Sequence, residues 1–217
     1  MSRPNPNQML VEDEDLRGAV IGLMRHHLGA WPSEEKEWPV FISKARGVED
    51  ILNENQLTVQ LQQSDISTFG IVVDADSDAA GRWESIRNFC KKLGGVGIPD
   101  GCPEDGLILE NIKERRFGAW IMPNNKDNGM LENFCHGLVP DDVENQWDYA
   151  TKCVADAKGL GAPFLDVHRF KAQMHTWLAW QDPPGVRMGI AITKHILDPT
   201  KGGAPQFSAW FKALYQL

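Results

Sequence analysis

Several absences from the sequence narrow the range of possible protein classes. The 217-residue chain has no uninterrupted apolar run of about 18 residues, so a transmembrane helix is not expected. Its first residues, MSRPNPNQMLVEDED, contain no apolar signal core, so secretion is not expected either. The four cysteines form no CxxC pair and, without an export signal, are predicted to be free thiols. These features together predict a cytoplasmic protein.

The chain also lacks an excess of basic over acidic residues. The chain carries 22 Lys and Arg against 30 Asp and Glu, which gives a formal net charge of −8. Proteins that bind nucleic acid through their whole surface have the opposite balance, so this class is excluded. An enzyme with a local basic track is not excluded. The length suffices for a substantial hydrophobic core.

The first two thirds of the chain alternate between strand-like and helix-like segments. The predicted strands are NQMLVE, WPVFISKA and TFGIVVDAD. Each is followed by a predicted helix, over residues 13–28, 48–62 and 79–94 respectively. This order indicates parallel strands joined by crossover helices, which is the pattern of an α/β protein.

The pattern changes at about residue 99. LILENI and FGAWIMP predict two more strands joined by a charged turn, MLENFCHGLV predicts a helix, and the remainder is typical of helices broken by short loops. We therefore predict an α/β core over residues 1–140 and a helical extension over 141–217 packed on it. The aromatic residues of the extension recur at roughly helical spacing, and we expect them and the adjacent His175 in the core. They are Trp147, Phe170, Trp177, Trp180, Phe207, Trp210 and Phe211.

Acidic side chains follow two of the predicted strands. Glu12 ends the first strand, and FGIVVDADSDAAGRW places Asp74, Asp76 and Asp78 at alternate positions after the third. Ligands of parallel α/β sheets bind beyond the carboxyl ends of the strands, where these acids are expected to meet. Carboxylates so close together repel one another unless a cation or a proton lies among them.

The D-x-D pattern leaves several interpretations open. It suits a hard divalent cation such as Mg²⁺ or Mn²⁺, it occurs in sugar-nucleotide sites, and it is also compatible with a solvated acidic turn. Asp78 is either a further metal ligand or the N-cap of the following helix. An EF-hand loop is excluded, because Ala79 and Ser85 stand where that loop needs Gly and Glu.

Two segments resemble the motifs of Toprim domains, the family of topoisomerases, bacterial primases, recombination-repair proteins and OLD-type nucleases. LVEDEDLRGAVIGL resembles the strand that ends in Glu, and IVVDADSDAAG, about sixty residues later, resembles the strand that ends in D-x-D. The resemblance implies a Toprim-like Rossmannoid parallel sheet flanked by helices. It also implies that Glu12 is a general acid/base or metal ligand, and that Asp74 and Asp76 bind Mg²⁺ or Mn²⁺, while it leaves both roles of Asp78 open. Asp13 stands where the family usually has glycine.

The resemblance continues into the second half of the chain. WIMPNNKDNGMLENFC and FKAQMHTWLAWQDPPGVRMGIAI are similar to small stand-alone Toprim-like bacterial proteins long labelled as a family of unknown function. Further acids and a lysine assist the reaction of OLD-type nucleases, which implies a metal-site role for Glu132 and a catalytic role for Lys171. The residues alone leave open a helix-dipole role for Glu132 and an ion-pair role for Lys171.

The sequence thus predicts Mg²⁺-dependent phosphodiester hydrolysis of nucleic acid by a Toprim-type nuclease. The resemblance further implies an OLD- or ABC-type ATPase partner and a place in phage defence. Two alternatives remain open at this point. One is a non-catalytic module that binds a metal or a nucleotide, and the other is a metal-dependent phosphohydrolase acting on a small phosphorylated molecule. The residues that bind the substrate are not predicted.

Overall fold

A five-stranded sheet lies at the centre of the computed structural model, which describes residues 5–29, 31–53 and 65–217. The strands are β1 (Asn7–Val11), β2 (Phe41–Lys44), β3 (Thr68–Asp74), β4 (Leu107–Ile112) and β5 (Arg115–Met122). Their order is β2-β1-β3-β5-β4, and only β4, at one edge, runs antiparallel to its neighbour. The predicted α/β class is confirmed.

Eight α-helices lie in the described ranges. They are α1 (Glu14–His27), α2 (Val48–Ile51), α3 (Ala79–Lys92), α4 (Leu131–His136), α5 (Glu144–Gly159), α6 (Arg169–Leu178), α7 (Met188–Thr193) and α8 (Ala204–Tyr215). The helix predicted over 48–62 is described as the single turn α2, and its second half lies outside the described residues. None of the helices in these ranges combines the length and the apolar character that crossing a bilayer requires.

The central strands are buried on both faces, and each face has its own hydrophobic cluster. Alternate side chains of a strand point to opposite faces, so Ile71 and Val73 pack with α3 while Val72 packs with α1. The same alternation divides β5, where Ile121 and Trp120 belong to different clusters. Such double burial explains why β3 is a continuous apolar run.

The helices beyond residue 141 share one hydrophobic cluster with α1 and the sheet. Of the seven aromatic residues expected in the core, Trp147, Trp177, Phe207, Trp210 and Phe211 are buried in this cluster and Phe170 is partly buried. The prediction is wrong for Trp180, which is 45% exposed because it lies beyond the end of α6. It is also wrong for His175, which is exposed on the face of α6 that points away from the cluster.

All four cysteines are free thiols, as predicted.

The backbones of α1 and α7 approach each other at a pair of glycines. A Cβ atom on Gly189 would lie 2.3 Å from the carbonyl carbon of Gly18, closer than such atoms come in proteins. A Cβ atom on Gly18 would lie 3.7 Å from the Cα of Gly189, which is ordinary van der Waals contact. This crossing therefore requires glycine at position 189, and also at position 22, where an added Cβ atom would lie 2.7 Å from the carbonyl oxygen of Gly189, but not at position 18.

Gly189→Ala is expected to lower the melting temperature, because the added methyl group forces two packed helices apart. Overpacking of this kind costs about 1–3 kcal/mol, which corresponds to a fall of roughly 2–12 °C in a chain of this size. Gly18→Ala is the matched control and should leave the melting temperature unchanged or raise it, since alanine favours the helix. Equal melting temperatures for Gly189→Ala and wild type in a thermal unfolding experiment would contradict this packing.

Candidate active site

Glu12 and Asp74 meet at the carboxyl edge of the sheet. They follow or end neighbouring parallel strands, whose register pairs Val11 with Val72. The Oε2 atom of Glu12 accepts a hydrogen bond from the backbone N–H of Asp74 at 3.1 Å. Parallel pairing thus places two acids 62 residues apart in sequence side by side.

Asp76 lies just beyond the edge, in a left-handed backbone conformation with φ 55°. Its N–H and C=O form a pair of 2.8 Å hydrogen bonds with Gly129 in the loop after β5. Its carboxylate accepts a 2.8 Å hydrogen bond from the guanidinium of Arg82, whose Nε donates to the carbonyl oxygen of Asp74 at 2.7 Å. The second acid of the D-x-D motif is therefore paired with a cation from α3.

Arg82 was not predicted as a site residue. A helix that starts directly after a strand places its first turn over the carboxyl end of that strand, and Arg82 lies in the first turn of α3. Its position in the helix that follows the D-x-D motif is the signal in the sequence from which its place at this edge can be predicted.

Asp78 is the N-cap of α3, which is one of the two roles left open for it. Its exposed carboxylate accepts a hydrogen bond from the N–H of Gly81 at 2.8 Å. The amide side chain of Asn128 joins this turn to the loop after β5, accepting from the N–H of Ala79 and donating to the carbonyl of Ser77. The carboxylate of Asp78 is thus engaged in capping.

Glu132 and Lys171 form an ion pair next to the two strand-end acids. Glu132 is only 3% exposed, and its Oε1 lies 3.3 Å from the Nζ of Lys171, whose side chain is 45% exposed. Leu131, at the start of the same helix, donates its N–H to Asp74 Oδ1 at 3.0 Å. Partial burial lowers the pKa of Lys171, but Glu132, Asp13 and Asp15 raise it by more, so the ammonium group remains charged.

Asp13, at the position where Toprim domains usually have glycine, is the N-cap of α1. Its exposed side chain accepts a hydrogen bond from the N–H of Leu16 at 2.8 Å. Its negative charge also contributes to raising the pKa values of Glu12 and Asp74. Asp13 therefore stabilises the start of a helix and adds negative charge at this edge.

The edge carries more negative charge than its own cations offset. Burial, and then the charges of Glu12, Glu132 and Asp76, raise the pKa of Asp74 to about 8. Burial also raises the pKa of Glu12, with a contribution from Asp76. Oxygen donors with excess negative charge suit a hard divalent cation. In the ranges that the structure describes, however, no three His, Cys, Asp or Glu side chains are arranged to hold a metal ion together.

The comparison with protein families gives one match. Residues 6–216 match the family described as Protein of unknown function (DUF3226). The chain belongs to this family. Neither the curated proteins nor the solved structures contain a significant match. The family description names no fold, metal or reaction, so the likeness to Toprim and OLD-type proteins and the nuclease activity stay predictions.

Asp74→Asn is expected to stabilise the metal-free protein in a pH-dependent way. The pKa of Asp74 is about 8 in the folded protein against an ordinary 3.8, so the folded state keeps a proton that the unfolded chain releases. Wild type therefore loses stability, relative to the variant, as pH rises from about 4 to about 8. In chelator at pH 8, Asp74→Asn should melt at least about 2 °C higher than wild type, and the gap should shrink at pH 5.

The matched control is Asp78→Asn, which replaces an exposed capping acid with a residue that caps about equally well. Its melting temperature should follow that of wild type at both pH values. A gap between Asp74→Asn and wild type that did not grow with pH would contradict the assigned burial of Asp74.

Lys171→Gln is expected to destabilise the protein, because it leaves the buried carboxylate of Glu132 without its cation. The pair is half exposed on the lysine side, so we expect a loss of about 1–2 kcal/mol, less than for a fully buried pair. The double variant Glu132→Gln with Lys171→Gln should recover part of the loss, since no charge is then left unpaired. Urea unfolding of Lys171→Gln, Glu132→Gln and the double variant checks this, and additive effects of the two substitutions would contradict it.

Proposed function

We propose that the protein is a Mg²⁺- or Mn²⁺-dependent phosphodiesterase that hydrolyses nucleic acid. The observation that carries this proposal is the contact between Glu12 and Asp74 at the carboxyl edge of the sheet. Asp76 and the Glu132–Lys171 pair lie around the same edge. Acids that hold a metal, together with a lysine, can stabilise the charge that develops during phosphodiester hydrolysis.

Each residue has a proposed role. Asp74 and Asp76 would hold the metal, with Glu132 as an outer acid. When bound, the ion supplies Lewis-acid stabilisation of the attacking and leaving oxygens of an in-line displacement. Glu12 accepts the proton of the attacking water while the bond between phosphorus and the leaving oxygen breaks, and that oxygen takes a proton from solvent. A raised pKa makes Glu12 a stronger base than an ordinary carboxylate.

Lys171 has the charge and the exposure to meet a phosphate. Its Nζ is anchored by Glu132 at 3.3 Å, yet nearly half of the side chain is open to solvent. An ammonium group fixed at this edge offsets negative charge on the scissile phosphate.

The net charge of −8 affects how a nucleic-acid substrate comes to the protein. A polyanion is not attracted to a surface with this charge balance, so we propose a partner that delivers the nucleic acid. An OLD- or ABC-type ATPase acting in phage defence fits the motif resemblance, and the cytoplasm is the compartment in which such a partner and four free thiols coexist.

A non-catalytic module that binds a metal or a nucleotide is the second candidate. The observation that favours it is the pairing of Asp76 with Arg82, which leaves the D-x-D acids facing different partners. The capping role of Asp13 favours it as well.

The proposed hydrolysis is tested with purified protein, plasmid DNA, single-stranded DNA, RNA and a panel of nucleotides, each with Mg²⁺, Mn²⁺ or chelator. Wild type should cleave a polymer only with metal. Glu12→Gln should lower the rate about 100-fold or more, because it removes the base. Asp74→Asn should abolish metal-dependent cleavage. The control Asp156→Asn, an exposed acid on α5, should cleave at the wild-type rate.

The outcomes separate the candidate functions. Turnover of nucleotides alone would replace the nuclease with a phosphohydrolase of small molecules. A metal-induced rise in melting temperature without any turnover would favour the binding module. If the protein showed no turnover and metal did not raise its melting temperature, both the proposed enzyme activity and the proposed metal site would be contradicted.

A further inference from the structure

We propose that Arg82 is an internal competitor of the divalent cation, holding Asp76 in the metal-free protein and releasing it when the ion binds. This inference rests on the proposed metal site, and it explains how that site is kept together without metal. It gives Arg82 the role of a positioning residue, since Arg82 acts on the acids of the site and not on the substrate.

The contacts of Arg82 divide into two independent halves. Nε donates to the backbone carbonyl of Asp74, and the terminal NH2 group donates to Oδ2 of Asp76. The side chain is only 15% exposed, and the capped first turn of α3 fixes its direction. The first contact involves no carboxylate, so it can persist when the second is broken.

Asp76 has a fixed backbone but an exposed side chain, which is what a change of partner from Arg82 to a metal ion needs. Its backbone is held by both hydrogen bonds to Gly129, so the position of its Cα is fixed. Its side chain is 51% exposed and has room to rotate. In the proposed exchange, a rotation about the side-chain bonds turns the carboxylate from Arg82 toward the oxygens of Asp74 and Glu12, while the loop stays in place.

The difference in charge between Arg82 and a divalent ion determines which of the two the carboxylate of Asp76 prefers. A guanidinium contributes one positive charge to an edge where Glu12, Asp74 and Asp76 repel one another. A divalent ion contributes two and can be shared by several oxygens, whereas Arg82 contacts a single carboxylate. The ion therefore displaces the arginine from Asp76 but is repelled by it, so Arg82 lowers the affinity of the site for metal.

Arg82→Gln separates the two contacts. The amide nitrogen of glutamine stands at the chain position of Nε and can still donate to the carbonyl of Asp74, while the charged terminus is lost. In calorimetric titration with Mn²⁺, we expect Arg82→Gln to bind at least threefold more tightly than wild type. In chelator its melting temperature should be lower, since Asp76 has lost its cation.

Arg87→Gln is the matched control. Arg87 lies on the same helix and also pairs with carboxylates, Glu84 and Asp100, which are not part of the site. Removing its charge should leave the affinity for Mn²⁺ within about twofold of wild type, because this charge is paired with carboxylates outside the site. If both variants bound Mn²⁺ more tightly than wild type by the same factor, the effect would be explained by the change in net charge, and the competitor role of Arg82 would be overturned.

A double-variant cycle tests the pair without metal. In chelator, the stability losses of Arg82→Gln and Asp76→Asn should be smaller together than their sum, because both remove the same ion pair. Additive losses would overturn the inference whatever the metal does. If wild type binds Mn²⁺ and Arg82→Gln binds equally or more weakly, the competitor role fails while the proposed metal site stands. If neither protein binds Mn²⁺, both fail.

Discussion

The parallel pairing of β1 with β3 is the constraint on which the site depends. It sets Glu12 beside the backbone N–H of Asp74, and no shift of one residue is compatible with it, since a slip would turn every buried side chain of β1 to the wrong face. The register is fixed by apolar packing on both faces of the sheet, which extends up to the residues next to the acids. Hydrophobic burial thus provides the free energy that holds mutually repelling carboxylates in place.

The repulsion between these acids must be offset, and nearby hydrogen-bond donors and cations of the same chain offset it. Leu131 donates its N–H to Asp74, Arg82 pairs with Asp76, and Lys171 pairs with Glu132. Each compensating group comes from the beginning or middle of a helix that lies over the edge. The capping of α1 by Asp13 and of α3 by Asp78 fixes two of the helices that surround the site. The acids that cap and the acids that face the edge therefore have separate tasks, although they are neighbours in sequence.

The sequence was informative wherever a local pattern carried the signal. The alternation of apolar strand-like runs with helix-like segments was sufficient for the α/β class and for placing Glu12 and Asp74 at one edge, because the ends of parallel strands meet. The role of Arg82 was not predictable in this way, since it depends on the direction of a side chain across a turn. The exposure of His175 and Trp180 was missed because helical spacing predicts a buried face but does not tell where that face ends.

The helices after residue 141 contribute to the edge as well as to the core. Lys171 lies on α6, whose buried residues Met174 and Trp177 join the cluster shared with α1 and the sheet. Its ammonium group therefore reaches Glu132 only because that packing sets α6 beside α4. The boundary that the sequence predicts between residues 140 and 141 therefore places Glu132 in the α/β core and Lys171 in the helical extension, although the two side chains form an ion pair. Since a buried carboxylate needs its cation, the helical extension and the α/β core depend on each other at this site.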